Sequence, residues 1–293
     1  MQLQPETAST IKNITQDSSD ENSLVKCISR VFIIAYKEST QELEELLTNQ
    51  GFTSEVLRQE RKPEYQSYSR SYLCLLNHRT AWERAIQETQ STMIIEADFV
   101  PVVNFGKLPL PFNPHQSNVG ISWLYTCAPQ IYYVSPDGYA EGFSASTVAY
   151  IVTPESARFL IELAEEIRTQ VGETNYSSWD STIDSFLRRK GLKNYIPWRN
   201  YGEHGGLPNP EHHKHNLSKT HRADVLYGKL AFIPLYAVQN SKLNLFGVRF
   251  WARVKGIARL GTGRFLRVKV LQGSNFPMRL LWFAILRQLT WNI

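Results

Sequence analysis

A chain of 293 residues with 42% hydrophobic side chains is long and apolar enough to fill the core of one sizeable α/β domain plus an appendage, which excludes a disordered protein. Three cysteines, Cys27, Cys74 and Cys127, without Cys-x-x-Cys spacing, exclude a disulfide framework and a structural zinc site and fit a reducing cytoplasm. Charge is uneven: of 32 Lys and Arg and 27 Asp and Glu, residues 241–293 hold ten of the former and none of the latter, so residues 1–240 carry a balance of −5.

The opening residues are polar, with no apolar segment of signal-peptide type, and predict a flexible tail over 1–29. Residues 31–36 are short, continuous and β-rich, the pattern of a buried strand. A helix follows, with Ser39 and Glu42 spaced as a capping box, Leu43, Leu46 and Leu47 on one face and Gly51 past its end. A second strand over 52–57 makes a strand–helix–strand opening, which implies a parallel sheet and a nucleotide-binding half. The next helix, 71–87, puts Cys74, His78 and Trp82 in one line. For His78, a hydrogen-bonding role in the core and direct substrate contact both fit.

The apolar strand from Met93 ends in Glu96-Ala97-Asp98. Side chains at i and i+2 of a strand point the same way, so Glu96 and Asp98 would converge while Ala97 turns away; a solvated turn is the plainer alternative. A hard, oxygen-seeking cation, Mn²⁺ or Mg²⁺, suits such a pair. Residues 101–140, rich in Pro and Asn, predict loops and a small sheet with strands around 122–125 and 131–134. A strand over 148–152 leads into a helix with Thr153 as N-cap and Pro154 at its first position, striped by Ala157, Leu160, Ile161, Ala164 and Ile167. The following helix, capped by Ser178, carries Asp180 and Asp184 four residues apart on one face. Either could act as a general base, and Asp180 would equally suit the positive end of the helix dipole.

In Tyr201-Gly202-Glu203-His204-Gly205-Gly206, glycines beside His204 permit close backbone approach to a diphosphate. The later histidines, His212, His213, His215 and His221, are too irregular for zinc. From 241 onward, cations alternate with Phe250, Trp251, Trp282 and Phe283, as in a helix lying on an anionic membrane surface. The longest apolar run there, 280–286, is far too short to span a bilayer. Nucleic acid is the less favoured partner for this composition.

The succession Ser71, Cys74, Asn77-His78, Trp82 and then an apolar strand ending Glu96-Ala97-Asp98 resembles glycosyltransferase family 25, the lipopolysaccharide and collagen sugar transferases. Their pattern is Gly/Ser-x-x-x-Cys-x-x-Ser-His-x-x-x-Trp followed by a strand ending Glu-Asp-Asp. Residues 146–160 are similar to the family's Ala-Tyr segment, and residues 179–187 to its Asp-containing helix. Ala97 replaces the usual middle acid, and residues 31–37 depart from the family's opening strand. The resemblance implies a GT-A-like α/β fold with a mixed, mainly parallel central sheet over 30–240, to which the charge pattern adds a basic amphipathic extension over 241–293. It further implies transfer of a hexose from UDP-galactose, with inversion, to a saccharide acceptor of lipopolysaccharide or glycolipid type, and the acidic body and cationic extension suit an enzyme that meets this acceptor on the inner face of a membrane. On this reading Ala35, Tyr36, His78, Glu96 and Gly205 meet the nucleotide sugar. Glu96, Asp98 and, as a third ligand from a late loop, His204 hold Mn²⁺ or Mg²⁺, and Asp184 or Asp180 is the base. The rival expectation is a non-catalytic membrane adaptor on a degenerate transferase fold.

Overall fold

The computed structural model describes residues 21–60, 62–207, 221–238 and 242–290. Of the expected tail, residues 1–20 lie outside that range, as do His212, His213 and His215. The remainder of the expected tail belongs to the domain. A short helix, α1 (Leu24–Cys27), buries Leu24 completely and runs straight into β1 (Ile28–Ala35).

After β1 come α2 (Gln41–Asn49), β2 (Ser54–Arg58), α3 (Arg70–Ala85) and β3 (Ser91–Glu96). Both β2 and β3 pair with β1 in parallel. The expected capping box on α2 does not form. Thr40 is the N-cap and makes no capping bond, because its hydroxyl is turned to Glu44 Oε1 at 2.5 Å. On α3 the cap is Ser69, which accepts from Tyr72 N at 3.1 Å.

The chain continues through β4 (Phe99–Pro101), β5 (Val119–Trp123), β6 (Gln130–Val134), β7 (Ala140–Phe143) and β8 (Ala149–Val152). Next are α4 (Pro154–Val171), α5 (Ile183–Arg189), β9 (Lys193–Ile196) and β10 (Gly202–His204). Eight strands form one sheet in the order β2-β1-β3-β8-β5-β9-β7-β6. Pairing senses make β2, β1, β3, β5, β9 and β6 run one way and β8 and β7 the other. The small separate sheet expected within 101–140 is absent among the described residues. Its strands extend the main sheet instead, because β8 pairs with both β3 and β5, and β9 with both β5 and β7.

Alternation sorts the strand residues onto two buried faces. Phe32, Ile34, Ile94, Tyr150 and Val152 join one cluster with α3 and α4, while Val31, Ile33, Met93, Ile95 and Ile151 join another. Coverage of both faces is why these strands read as unbroken apolar runs. Thr153 and Ser156 form a reciprocal capping box on α4, with Pro154 at its first position.

The basic segment folds as α7 (Lys242–Gly261), α8 (Val268–Gly273) and α9 (Pro277–Gln288), after the short α6 (Leu235–Val238). It is packed on the sheet: Phe265, Leu266, Leu280, Phe283 and Ala284 share a buried cluster with Trp123, Ile131 and Val134. Four of its cations turn inward, Arg279 by donating to the Val134 carbonyl of β6 at 3.3 Å. Arg249 pairs with the fully buried Glu203, and Arg287 with the buried Asp224. Arg253 Nη1 donates to Gln288 Oε1 at 2.8 Å. A Cβ on Gly256 would lie 2.8 Å from Asp224 Cβ, so α7 approaches this network as closely as a backbone can. Position 241 is therefore not a boundary between a body and a separable extension. Phe283 is buried against Trp198, ring centroids 4.6 Å apart, whereas Phe250, Trp251 and Trp282 stay 47%, 63% and 56% exposed. Among the described residues, no helix is long and apolar enough to cross a membrane.

Candidate active site

Register places the acids. Glu96 pairs with Ile34 at the carboxyl end of β3, and Ala97 N donates to Ile34 O at 2.8 Å. The chain then turns at Ala97 and Asp98 into β4, which pairs antiparallel with β10 so that Phe99 faces His204. His204, distant in sequence, thereby lies against Asp98, with Nε2 3.0 Å from Oδ2. The two carboxylates do converge, but through this turn and not through strand alternation, since Asp98 lies beyond the strand.

One ligand atom from each of Glu96, Asp98 and His204 lies within 4.8 Å of the others. Asp98 Oδ1 and His204 Nδ1 are buried without a hydrogen-bond partner among the described residues. Buried polar atoms are ordinarily satisfied, so two orphans beside a carboxylate pair fit the donor set of a cation site. Oxygen donors with one imidazole suit Mn²⁺. Burial alone would lower the His204 pKa, but the Asp98 carboxylate, with a smaller contribution from Glu96, outweighs it and holds the imidazole above its ordinary value.

A second acid-and-thiol group, Cys74, His78 and Glu96, is equally compact, but its imidazole is already engaged. His78 is fully buried, with Nε2 3.3 Å from Glu96 Oε1 and Nδ1 2.8 Å from Tyr150 Oη. A carboxylate only accepts, so Nε2 carries a proton toward Glu96, and Nδ1 pairs with the Tyr150 hydroxyl. Tyr150 in turn accepts from Trp82 Nε1 at 2.9 Å. Burial, before any other cause, holds the Tyr150 hydroxyl well above its ordinary pKa, which keeps it protonated. His78 thus orients Glu96 and does not reach the cleft. The Cys74 thiol is likewise pushed well up, by burial first and then by Glu96, Asp180 and Asp98, so it is no thiolate nucleophile.

Beside the acids lies a cleft of about 940 Å³ at the carboxyl ends of β1 and β2. Ala35, Tyr36, Cys74, Asn77, Glu96 and Asp98 are among its walls, with Lys37, Lys62 and Arg70 supplying positive charge. Gly205 is not among these lining residues: its N–H donates to Asp98 O at 2.7 Å and pins the turn. Its neighbour Gly206 is packed so tightly that a Cβ would fall 2.2 Å from Asp98 Oδ2.

The two helix acids separate. Asp184 is buried on α5, its Oδ1 accepting from Asn194 Nδ2 at 2.9 Å and its Oδ2 from Tyr132 Oη at 3.3 Å. Burial lifts its carboxyl above the ordinary value against the pull of Asn194, Arg188 and Tyr132. Asp180 instead sits in the 3-10 turn Trp179–Thr182, half-buried, with Oδ1 accepting from Ser181 N at 2.9 Å. The ring of the adjoining Trp179 lies 5.2 Å from that of His78, tilted by 58°, and Asp180 raises the thiol pKa of both Cys74 and Cys127.

Several supporting residues carry no sequence signal strong enough to single them out. Thr147 donates to Glu96 Oε1 at 3.3 Å. Glu203 Oε1 accepts from His204 N and Ala223 N, each at 3.0 Å. Arg222 donates to the carbonyls of His204 and Gly206.

No protein-family model and no curated protein matches the chain. Among solved structures it is similar to a glycosyltransferase involved in the glycosylation of the major capsid of PBCV-1, with 12% identity and a TM-score of 0.40. That similarity covers 57% of this chain and 80% of the other.

Proposed function

We propose that the chain is a metal-dependent glycosyltransferase that moves a hexose from a nucleoside diphosphate sugar to a saccharide acceptor. The observation that carries this reading is the convergence of Glu96, Asp98 and His204, with two orphaned buried atoms, at the mouth of a cleft wide enough for a nucleotide. Glu96, Asp98 and His204 would hold Mn²⁺, which supplies Lewis-acid neutralisation of the departing diphosphate. Ala35 and Tyr36 border the nucleotide, and Lys37, Lys62 and Arg70 offset its charge. His78 and Thr147 keep Glu96 aimed at the site.

Asp180 is the better base, because both oxygens of Asp184 are occupied in holding α5 to β6 and β9. The acceptor hydroxyl gives its proton to Asp180. Its oxygen bonds to the anomeric carbon as the bond to the β-phosphate oxygen breaks on the opposite face, which inverts the centre. The motif blocks that resemble family 25 make UDP-galactose the first donor to test and a lipopolysaccharide- or glycolipid-type saccharide the first acceptor. The exposed Phe250 and Trp282, with neighbouring cations, suit a peripheral position on an anionic inner membrane face.

Hydrolysis measured over a panel of nucleotide sugars, with and without Mn²⁺, tests the reading. Mn²⁺-dependent turnover of a UDP-hexose is expected. Mn²⁺-dependent binding without turnover would favour a non-catalytic adaptor instead, and neither binding nor turnover would overturn both.

A further inference from the structure

On the other side of the metal loop lies a second cleft, of about 700 Å³, whose walls include Cys127, Arg222, Tyr236, Trp251, Lys255 and Arg259. Its chemistry differs from that of the first. The donor cleft mixes signs, with Glu38, Glu60, Glu96 and Asp98 among its walls, whereas the second has no carboxylate among its described lining residues.

The cations of α7 divide by where they point. Arg249 and Arg253 face the body and are bonded there, to Glu203 and to Gln288 and the Thr290 carbonyl. Lys255 and Arg259 face the cleft, and among the described residues neither has a carboxylate partner. Like charges four residues apart destabilise a helix, and α7 contains no acid to offset them. The stripe therefore does nothing for the helix itself. Trp251, one turn earlier on the same stripe and 63% exposed, offers a flat apolar face of the kind on which a sugar ring packs.

The cleft also adjoins the reacting centre. Arg222, in its wall, donates to the carbonyls of His204 and Gly206 at 2.9 and 3.1 Å while its guanidinium lies 3.9 Å over the Tyr236 ring. Cys127 lines the same cleft. Asp180 raises its thiol pKa, Arg259 lowers it, and burial, the largest cause, takes it to about 12.

We infer that this second cleft is the acceptor site and that it selects an acceptor carrying a phosphate ester, held by Lys255 and Arg259 with the sugar against Trp251. This rests on the transferase reading for the word acceptor, though not for phosphate recognition. A planar guanidinium beside an ammonium suits a phosphate, and Arg222 ties the wall that holds it to the loop of His204 and Gly206. The phosphate could belong to a soluble sugar phosphate or to a lipid-linked one.

The test is equilibrium binding to the full chain with saturating UDP and Mn²⁺, so that the first cleft is filled. The probes are glucose 1-phosphate and neutral methyl glucoside. Glucose 1-phosphate should bind roughly tenfold or more tightly, the scale of one charge-assisted contact. Lys255→Glu combined with Arg259→Gln should erase that preference and leave UDP affinity unchanged, while Lys269→Glu combined with Arg264→Gln, the same charge change outside the cleft, should keep it. The single Lys255→Gln change, at an exposed position, should reduce the preference in part. Equal binding of the two probes by the unaltered chain, or an undiminished preference in the double variant, would overturn the inference. UDP binding without any phosphate preference removes this site and leaves the transferase reading intact. The preference without UDP binding does the reverse. Flotation with phosphatidylcholine vesicles, with or without phosphatidic acid, separates the two phosphate sources: Lys255-dependent capture only with phosphatidic acid assigns the phosphate to a lipid.

Discussion

Asp98 holds His204 with one carboxylate oxygen and keeps the other buried without a partner among the described residues, so the smallest change there speaks most directly to metal binding. Asp98→Asn should remove most Mn²⁺-dependent activity with the fold intact, checked by circular dichroism beside the assay. Gly206→Ala should weaken Mn²⁺ binding without touching a ligand, because the added methyl would lie 2.2 Å from Asp98 Oδ2 and must displace it; a Mn²⁺ titration checks this. Asp180→Asn should lower turnover by roughly a hundredfold, the scale of general-base catalysis, with donor affinity kept. Asp184→Ala should instead lower stability by about 1–3 kcal/mol, through loss of a buried acceptor, and leave turnover per folded molecule nearly unchanged. Urea unfolding and steady-state kinetics separate the pair. Glu96, Asp98 and His204 could be picked out as candidates from the sequence, but the strand alternation expected to align the two acids stops at Glu96, and the turn that brings Asp98 to His204 has no local mark. The division between Asp180 and Asp184 was not legible either. Four-residue spacing puts two side chains on one face only within an α-helix, and Asp180 belongs to a 3-10 turn with about three residues per turn.

At the scale of elements, the basic C-terminal helices are wedged against the sheet by two ion pairs that bury both partners. Removing one member of such a pair strands the other. Arg287→Met should destabilise the chain by about 3–5 kcal/mol, and adding Asp224→Leu should recover much of that loss, read by urea unfolding of both variants. Burial alone would raise the Asp224 pKa, but Arg287 and Gln288 bring it below the ordinary value. A depressed carboxyl stabilises the fold above its unfolded pKa of about 3.9 and loses that contribution as pH falls through the folded value. The α9 attachment should therefore loosen only below about pH 4, seen as increasing Trp fluorescence change at acid pH, and the R287M variant should lack that acid transition. A chain ending at 240 should fail to fold, since it would expose Ile131 and Val134 and leave Glu203 and Asp224 buried without their arginines. The charge asymmetry was plain in the sequence. Its inward half was not, because the partners lie 46 and 63 residues away and nothing local marks which arginines they take.

Across the whole molecule, two clefts flank one acid cluster, a mixed-charge one at the ends of β1 and β2 and a cationic one under α7. The first strand–helix–strand unit was legible because long apolar runs and a glycine stop mark it. The far half of the sheet was not, since β5 to β9 are short strands paired across distant segments, and short aromatic stretches give no sign of whether they extend one sheet or start another. Everything assigned to function depends on whether the Glu96, Asp98 and His204 cluster is a metal site that cooperates with a nucleotide. Electron paramagnetic resonance titration of Mn²⁺, with and without UDP, on the unaltered chain and on Asp98→Asn measures this directly. The expected result is a Mn²⁺ site that UDP tightens and that Asp98→Asn abolishes. Equal Mn²⁺ binding by both proteins, indifferent to UDP, would contradict it.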